Sequence, residues 1–94
     1  MSIWFIGGGA MAEAMINGIL DAKVLPPDKI GVSELIEDRR SYLKERYGVE
    51  VIDGYQGLSA VKTVVLAVKP QSAKNVMSDV SSFINPRQAV ISIM

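Results

Sequence analysis

The 94-residue sequence contains no cysteine and no histidine, and its ten Lys and Arg residues are balanced by ten Asp and Glu residues. The lack of cysteine excludes disulfides, thiolate metal sites and a cysteine nucleophile. The lack of histidine removes the usual general base and the commonest metal ligand. With no net charge, nothing indicates binding to nucleic acid or to an anionic membrane. We therefore expect no metal site and no partner of these two classes.

Long apolar runs are missing as well, since none approaches the ~20 residues that a membrane-spanning helix requires. The apolar N-terminal run is interrupted by glycines and has no basic segment before it, so we expect no signal peptide. Hydrophobic residues nevertheless make up 49% of the chain, which is enough for the core of one small domain. The composition predicts a soluble, cytoplasmic domain.

The most informative stretch is the apolar run at positions 3–6, followed directly by Gly7, Gly8 and Gly9. Continuous apolarity of this kind is typical of a strand buried on both faces of a parallel sheet. A helix with one apolar face is predicted next, from the spacing of Met11, Ala12, Met15, Ile16, Ile19 and Leu20. The junction matches the G-x-G-x-x-G/A dinucleotide fingerprint in its strand–turn–helix context. A glycine-rich turn without a ligand is the alternative.

Each small residue of this junction has a steric reason. Gly7 allows a sharp turn off the strand, and Gly9 leaves room for a pyrophosphate beside the backbone. Ala12 allows the helix to lie close to the strand. The free N–H groups and partial positive charge of the first helical turn form an anion site.

The rest of the chain alternates between predicted strands and helices. Strands are expected at 29–33, 49–52, 63–68 and 89–93, and helices at 35–47 and 71–84, with a helical turn within 55–61. This alternation predicts a Rossmann-like, doubly wound α/β domain with a parallel sheet in the order 3-2-1-4-5. Because the fifth strand has the composition of a buried strand, we expect residues 1–94 to be a domain cut from a longer protein.

The helix at 35–47 is expected to direct Ile36, Leu43 and Tyr47 inward, and the one at 71–84 to pack through four apolar residues. These are Val76, Val80, Phe83 and Ile84.

Several polar residues fall at the predicted carboxyl edge of the sheet. Glu34 lies 22 residues beyond Ala12, where an acidic side chain can accept hydrogen bonds from ribose hydroxyls. A solvated carboxylate at the start of a helix is an equally good interpretation. Glu34 would favour NAD over NADP. Arg39 or Arg40 could instead reach toward a 2′-phosphate, but we expect both on the exposed face of their helix.

Three further candidates have alternatives that stay open. Ser33 would either donate to a ribose or phosphate oxygen or cap a helix. Lys69 would either approach the ligand or lie in solvent beside a helix-starting proline. Met11 is expected in the core, although it is close enough to the loop to touch a cofactor, and Tyr47 and Tyr55 are expected to pack.

Several segments together resemble the N-terminal domain of pyrroline-5-carboxylate reductases over all 94 residues. They are IGGGAMAEA at 6–14, VLPP at 24–27, VS at 32–33, AVKPQ at 67–71 and VISI at 90–93. The resemblance implies reduction of 1-pyrroline-5-carboxylate to L-proline with NAD(P)H, in proline biosynthesis. It also implies a C-terminal helical domain, absent here, that supplies the substrate pocket and the interface of a homo-oligomer. Another reductase of the coenzyme F420-dependent NADP type, or a non-enzymatic nucleotide-binding regulator, is the alternative.

By match with this family, cofactor contacts are implied at three places. The pyrophosphate would lie against Ile6, Gly7, Gly8, Gly9, Ala10 and Met11, the adenosine ribose against Ser33 and Glu34, and the nicotinamide half against Ala67, Val68, Lys69 and Pro70. Many members have Asn at position 10, a neutral or basic residue near position 34, and Asn at position 54. Hydride transfer is chemistry of the cofactor, so we assign no catalytic residue within 1–94.

Overall fold

The computed structural model describes residues 1–93, which form one five-stranded parallel sheet with helices on both faces. The strands are β1 (Ile3–Ile6), β2 (Ile30–Ser33), β3 (Glu50–Ile52), β4 (Thr63–Leu66) and β5 (Ala89–Ser92). The helices are α1 (Ala10–Asp21), α2 (Glu37–Tyr47) and α3 (Pro70–Val80), with short 3₁₀ turns at Pro27–Lys29, Leu58–Ala60 and Ser81–Phe83. The Rossmann-like α/β fold is thus confirmed.

The strand order is β3-β2-β1-β4-β5, as the sequence predicts. The central strand β1 pairs in parallel with both β2 and β4, so that Ile6 lies beside Ser33 on one side and Leu66 on the other. The order reverses between β1 and β4, and ligands of such sheets bind outside the carboxyl ends of the strands at this reversal. The topology therefore brings the glycine loop, the end of β2 and the end of β4 to one place.

Two apolar clusters cover the faces of the sheet, and β1 contributes to both. Phe5 is fully buried in the cluster that contains Ile16 of α1 and Leu43 of α2. Trp4 is buried in the opposite cluster together with Val80 of α3. Alternate residues of one strand thus point to opposite faces, which explains its unbroken apolar sequence.

Helix ends follow local sequence signals. Gly48 ends α2 in the left-handed conformation with φ +71°, as expected for a C′ glycine. Pro70 occupies the first turn of α3, where its missing N–H costs nothing. The predicted helix at 71–84 is shorter than expected, since α3 gives way to a 3₁₀ turn after Val80.

Three burial predictions are wrong. All four residues of β5 are exposed, because this edge strand pairs only with β4 and no helix within residues 1–93 covers it. Ile36 is 65% exposed because it precedes the first turn of α2 rather than lying on its inner face. Met11 is 60% exposed because the buried face of α1 runs through Ala12 and Ile16, and Met11 lies outside it. Phe83 is also partly exposed, although its ring packs on Tyr55 at 5.7 Å.

No helix among the described residues has the length and apolarity needed to cross a membrane.

Candidate functional site

A pocket of about 340 Å³ opens at the carboxyl ends of β1, β2 and β4. Most of the predicted site residues line it, namely Ile6, Gly7, Gly8, Gly9, Ser33, Glu34, Ala67, Val68 and Lys69. Ala10, Met11 and Pro70 are exposed and do not line it. Six further lining residues were not predicted from the sequence: Leu35, Ile36, Asp53, Tyr55, Ser72 and Val76. Leu35 and Ile36 could have been recognised in the sequence, because they form an apolar pair directly after Glu34.

The three loop glycines occupy different surroundings. Gly7 has φ +99°, and a Cβ there would lie 2.5 Å from the carbonyl oxygen of Ala67. A Cβ on Gly8 would lie 2.8 Å from the Cδ1 atom of Leu43. Gly9 has an ordinary φ of −78°, and a Cβ there would meet nothing within 4 Å. The fold requires glycine at position 7, and position 8 is closely packed against the Leu43 side chain, whereas position 9 has open space next to the pocket.

The end of the glycine loop at Gly9 has backbone N–H groups without acceptors in the described part of the chain. Gly9 is the N-cap of α1 and has no side chain to cap it. Among the described residues, the N–H groups of Gly9, Ala10, Met11 and Ala12 have no acceptor in the chain. Unpaired donors and the positive end of a helix dipole attract anions. The loop can therefore hold a phosphate or pyrophosphate group.

Glu34 stands at the end of β2 with both carboxylate oxygens bonded to backbone. Oε1 accepts the Gly8 N–H at 2.8 Å, and Oε2 accepts the Ile36 N–H at 3.0 Å. Each carboxylate oxygen can accept a second hydrogen bond, so the side chain retains capacity to accept ribose hydroxyls. Its position is fixed before any ligand arrives.

The hydroxyl of Ser33 is engaged within the protein. It accepts the Trp4 Nε1–H at 2.7 Å and donates to the Gly54 carbonyl at 2.6 Å. Consequently its proton is not offered to a ribose or phosphate oxygen in this structure. Nor does Ser33 cap a helix, since the N-cap of α2 is Ile36. Ser33 instead joins β1, β2 and the turn after β3, and so stabilises the floor of the pocket.

Arg39 and Arg40 contradict the expectation that they lie on the exposed face of α2, since both are half-buried. Arg40 donates from Nη1 to the carbonyls of Glu34 and Leu35 at 2.9 and 2.7 Å. Arg39 donates from Nε to the Gly8 carbonyl at 2.5 Å. The reason is that backbone carbonyls at the end of β2 and in the glycine loop face the first turns of α2. Both guanidinium groups are thus anchored rather than free in solvent.

A polar cluster that the sequence analysis did not identify lies behind the glycine loop. Glu13 of α1 accepts hydrogen bonds from Tyr42 and Tyr47, each at 2.5 Å, and forms an ion pair with Arg39 at 2.7 Å. The two tyrosine hydroxyls and then the guanidinium hold the pKa of Glu13 at about 2. The same contact raises the pKa of Tyr47. Tyr47 therefore binds a charged partner rather than only packing.

The residues that follow β4, namely Ala67, Val68 and Lys69, line another side of the pocket. Ala67 donates its N–H to the Ile6 carbonyl at 2.9 Å, which ties this wall to β1. Lys69 is exposed at the N-cap of α3, and its ammonium group has no ion-pair partner among residues 1–93. Tyr55 also lines the pocket, and burial raises the pKa of its hydroxyl.

The pocket's position at the strand-order reversal, with an anion-binding helix start, is typical of nucleotide-binding α/β proteins. The chain belongs to the family described as NADP oxidoreductase coenzyme F420-dependent, whose model matches residues 2–94. That family membership agrees with the fold observed in residues 1–93.

Curated proteins similar to this chain include pyrroline-5-carboxylate reductases. Isozyme 1 from Bacillus subtilis is 34% identical over 92 residues, covering 96% of this chain and 31% of that protein. The reductase from Synechocystis sp. is 36% identical over 95 residues, covering 100% of this chain and 35% of that protein. The chain therefore spans about a third of the length of these relatives.

Solved structures of two other proteins are also similar to this chain. A pyrroline-5-carboxylate reductase from Coxiella burnetii matches with a TM-score of 0.88 and 34% identity, covering 97% of this chain and 34% of that one. An arogenate dehydrogenase from Synechocystis matches with a TM-score of 0.83 but only 18% identity, which supports the fold alone.

Proposed function

We propose that this chain is the NAD(P)H-binding part of a pyrroline-5-carboxylate reductase. The open space at Gly9 carries the proposal. A glycine that the fold itself does not require, beside four unpaired N–H groups, is explained by a ligand that must approach the backbone. The pyrophosphate of a dinucleotide has the size and charge for this position.

Other pocket residues suit the two halves of such a cofactor. Glu34 is positioned to accept the adenosine ribose hydroxyls, and the exposed apolar side chains of Leu35 and Ile36 offer a surface for the adenine ring. Ala67, Val68 and Lys69 form the wall toward the nicotinamide half. The chain's own residues bind, orient and exclude water, and the bound cofactor supplies the hydride.

The reaction itself needs little from this part of the protein. A cyclic imine is already electrophilic once protonated, so no nucleophilic side chain is required. This agrees with a chain that has neither histidine nor cysteine. Because the chain spans about a third of its relatives, we expect the imine to bind elsewhere in such a protein, which would assemble as a homo-oligomer.

The cofactor preference follows from Glu34. A carboxylate fixed at the end of β2 would face the 2′-phosphate of NADPH with like charge, whereas it can accept both ribose hydroxyls of NADH. The family description names NADP, and Arg40 is anchored to backbone beside Glu34. We infer that NADH is bound at least as well as NADPH.

The proposal is tested by calorimetric titration of the 94-residue chain with NADH, NADPH and, as a control for the phosphate contacts, adenosine. Saturable binding of a dinucleotide is expected, with adenosine much weaker. Failure of both dinucleotides to bind would overturn the proposed site.

A second assay follows NAD(P)H oxidation with 1-pyrroline-5-carboxylate. The chain alone is expected to show only background oxidation, since its pocket accounts for the cofactor and not for the imine. Clear saturable turnover would mean that the substrate site lies within these residues.

The family description also favours a second candidate, the nucleotide-binding part of an NADP oxidoreductase that uses coenzyme F420. The identities of about 34% to pyrroline-5-carboxylate reductases make it the weaker choice. Assay of a longer protein containing this chain with each substrate would discriminate between them.

A further inference from the structure

The N–H and the carbonyl group of Gly8 are hydrogen-bonded to charged side chains of opposite sign. Its N–H donates to the Glu34 carboxylate at 2.8 Å, and its carbonyl accepts from Arg39 Nε at 2.5 Å. A glycine backbone is otherwise the most mobile kind, so these two contacts select one conformation of the loop.

Arg39 is in turn fixed by three partners of different chemistry. It bonds the Gly8 carbonyl, forms the 2.7 Å ion pair with Glu13, and lies over the Tyr42 ring at 5.0 Å. Glu13 is itself fixed by hydrogen bonds from Tyr42 and Tyr47. None of these four side chains lines the pocket. The cluster therefore acts on a ligand only through the backbone or through its charge.

The geometry of one peptide unit connects the cluster to the pocket. The Gly8 carbonyl and the Gly9 N–H belong to the same trans peptide, and in such a unit they point in opposite directions. Holding the carbonyl toward Arg39, outside the pocket, directs the Gly9 N–H away from Arg39. Gly9 lines the pocket, and its N–H has no acceptor among the described residues.

We propose that Arg39 is a positioning residue that fixes the Gly8–Gly9 peptide so that the Gly9 N–H is presented to the pyrophosphate. Glu13, with its two tyrosines, holds Arg39 in place. This inference rests on the proposed function, because it concerns how that site receives its anion. Without Arg39 the peptide loses the contact that fixes its carbonyl, and part of the binding energy is then spent on ordering it.

A charge effect without positioning makes a different prediction for Glu13. If the cluster acted only through its electrostatic field, removing the negative charge of Glu13 would strengthen binding of an anion. If Glu13 positions Arg39, the Glu13→Ala substitution weakens binding instead. The two accounts thus differ in the sign of one measured change.

The experiment titrates ¹⁵N-labelled chain with ADP and with adenosine, following the amide signals of the loop by NMR. Arg39→Met is expected to weaken ADP binding about tenfold, which corresponds to a hydrogen bond of about 1.4 kcal/mol. Glu13→Ala should weaken it less, and adenosine binding should be unchanged in both. Lys44→Met is the matched control, since Lys44 is an exposed cation on the same helix and forms no ion pair among residues 1–93.

Rescue by a conservative variant separates geometry from charge. Arg39→Lys keeps the charge but lacks the planar group that bonds Gly8 and Glu13 together, so it is expected to remain impaired. Full rescue by lysine, unchanged ADP affinity in Arg39→Met, or tighter binding in Glu13→Ala would each overturn the inference.

Failure of the proposed function has a different signature: wild-type chain would then bind neither ADP nor a dinucleotide. Should the Arg39 variants not fold, wild-type chain alone gives a second readout. The Arg39 Nε–H is expected to show scalar coupling across its hydrogen bond to the Gly8 carbonyl carbon, and absence of that coupling would overturn the positioning role.

Discussion

Gly7 lies at the strand end of the glycine loop and has φ +99°. A Cβ added there would lie 2.5 Å from the carbonyl oxygen of Ala67, the residue that follows β4. At Gly9, the helix end, the same atom would meet nothing within 4 Å, and φ is −78°. Two glycines in one motif are therefore present for different reasons. Gly7 allows the backbone to turn after β1 close to Ala67, and Gly9 leaves room for a ligand.

This difference matters because a glycine motif alone does not distinguish a tight turn from a ligand site. A turn explains Gly7 and the packing of Leu43 explains Gly8. Neither explains Gly9. Substitutions at the two ends should accordingly separate stability from binding.

The largest effect is expected at the strand end. Gly7→Ala combines left-handed strain with a backbone clash, and we expect it to lower the free energy of unfolding by about 3 kcal/mol or more. Denaturant unfolding measures this change. Gly18→Ala is the control, because that position is in α1 with nothing within 4 Å of a Cβ, and alanine should stabilise the helix by about 0.5–1 kcal/mol. Equal stability of the Gly7 variant and wild type would remove the structural reason for this glycine.

A smaller effect, on the choice between the two cofactors, is expected at Glu34, which accepts the N–H of Gly8 in the middle of the loop. Glu34→Ser removes both a ribose acceptor and the repulsion of a 2′-phosphate, so the ratio of NADPH to NADH affinity should rise about tenfold. The ratio is the proper readout because a freed Gly8 N–H affects both cofactors alike. A wild-type chain that strongly prefers NADPH, with a ratio unchanged by the substitution, would contradict this role.

The smallest effect is expected in the pH dependence of the free energy of unfolding, through Glu13 in the polar cluster behind the glycine loop. The pKa of Glu13 is about 2 in the fold against an ordinary 4.5, so the unfolded chain binds more protons between these values. Wild-type stability should therefore fall as the pH is lowered from about 5 to about 2. Glu13→Gln should show a shallower fall, with a difference of about 1 kcal/mol, because water still screens part of this half-buried pair. Parallel pH profiles of the two proteins would show that the carboxylate is not held as described.

The strand order and the glycine loop were predictable because both follow from local patterns, namely alternating elements and a strand–turn–helix junction. The roles of Arg39 and Glu13 were not, because they depend on how α2 is rotated against α1, and the charged sequence of α2 leaves that rotation undetermined. The exposure of β5 was mispredicted for a related reason. Its apolar sequence is typical of a buried strand, but burial depends on what covers an edge and not on the strand itself.

The central claim, that Gly9 leaves room for a dinucleotide, is tested most directly by measuring dinucleotide affinity and unfolding free energy on the same Gly9→Val protein. We predict that affinity falls by at least ~2 kcal/mol, about thirtyfold, because the added side chain occupies the space of the pyrophosphate. Stability should fall by no more than about 1 kcal/mol, the cost of a poorer N-cap. Unchanged affinity for NADH and NADPH in a folded Gly9→Val protein would contradict the account.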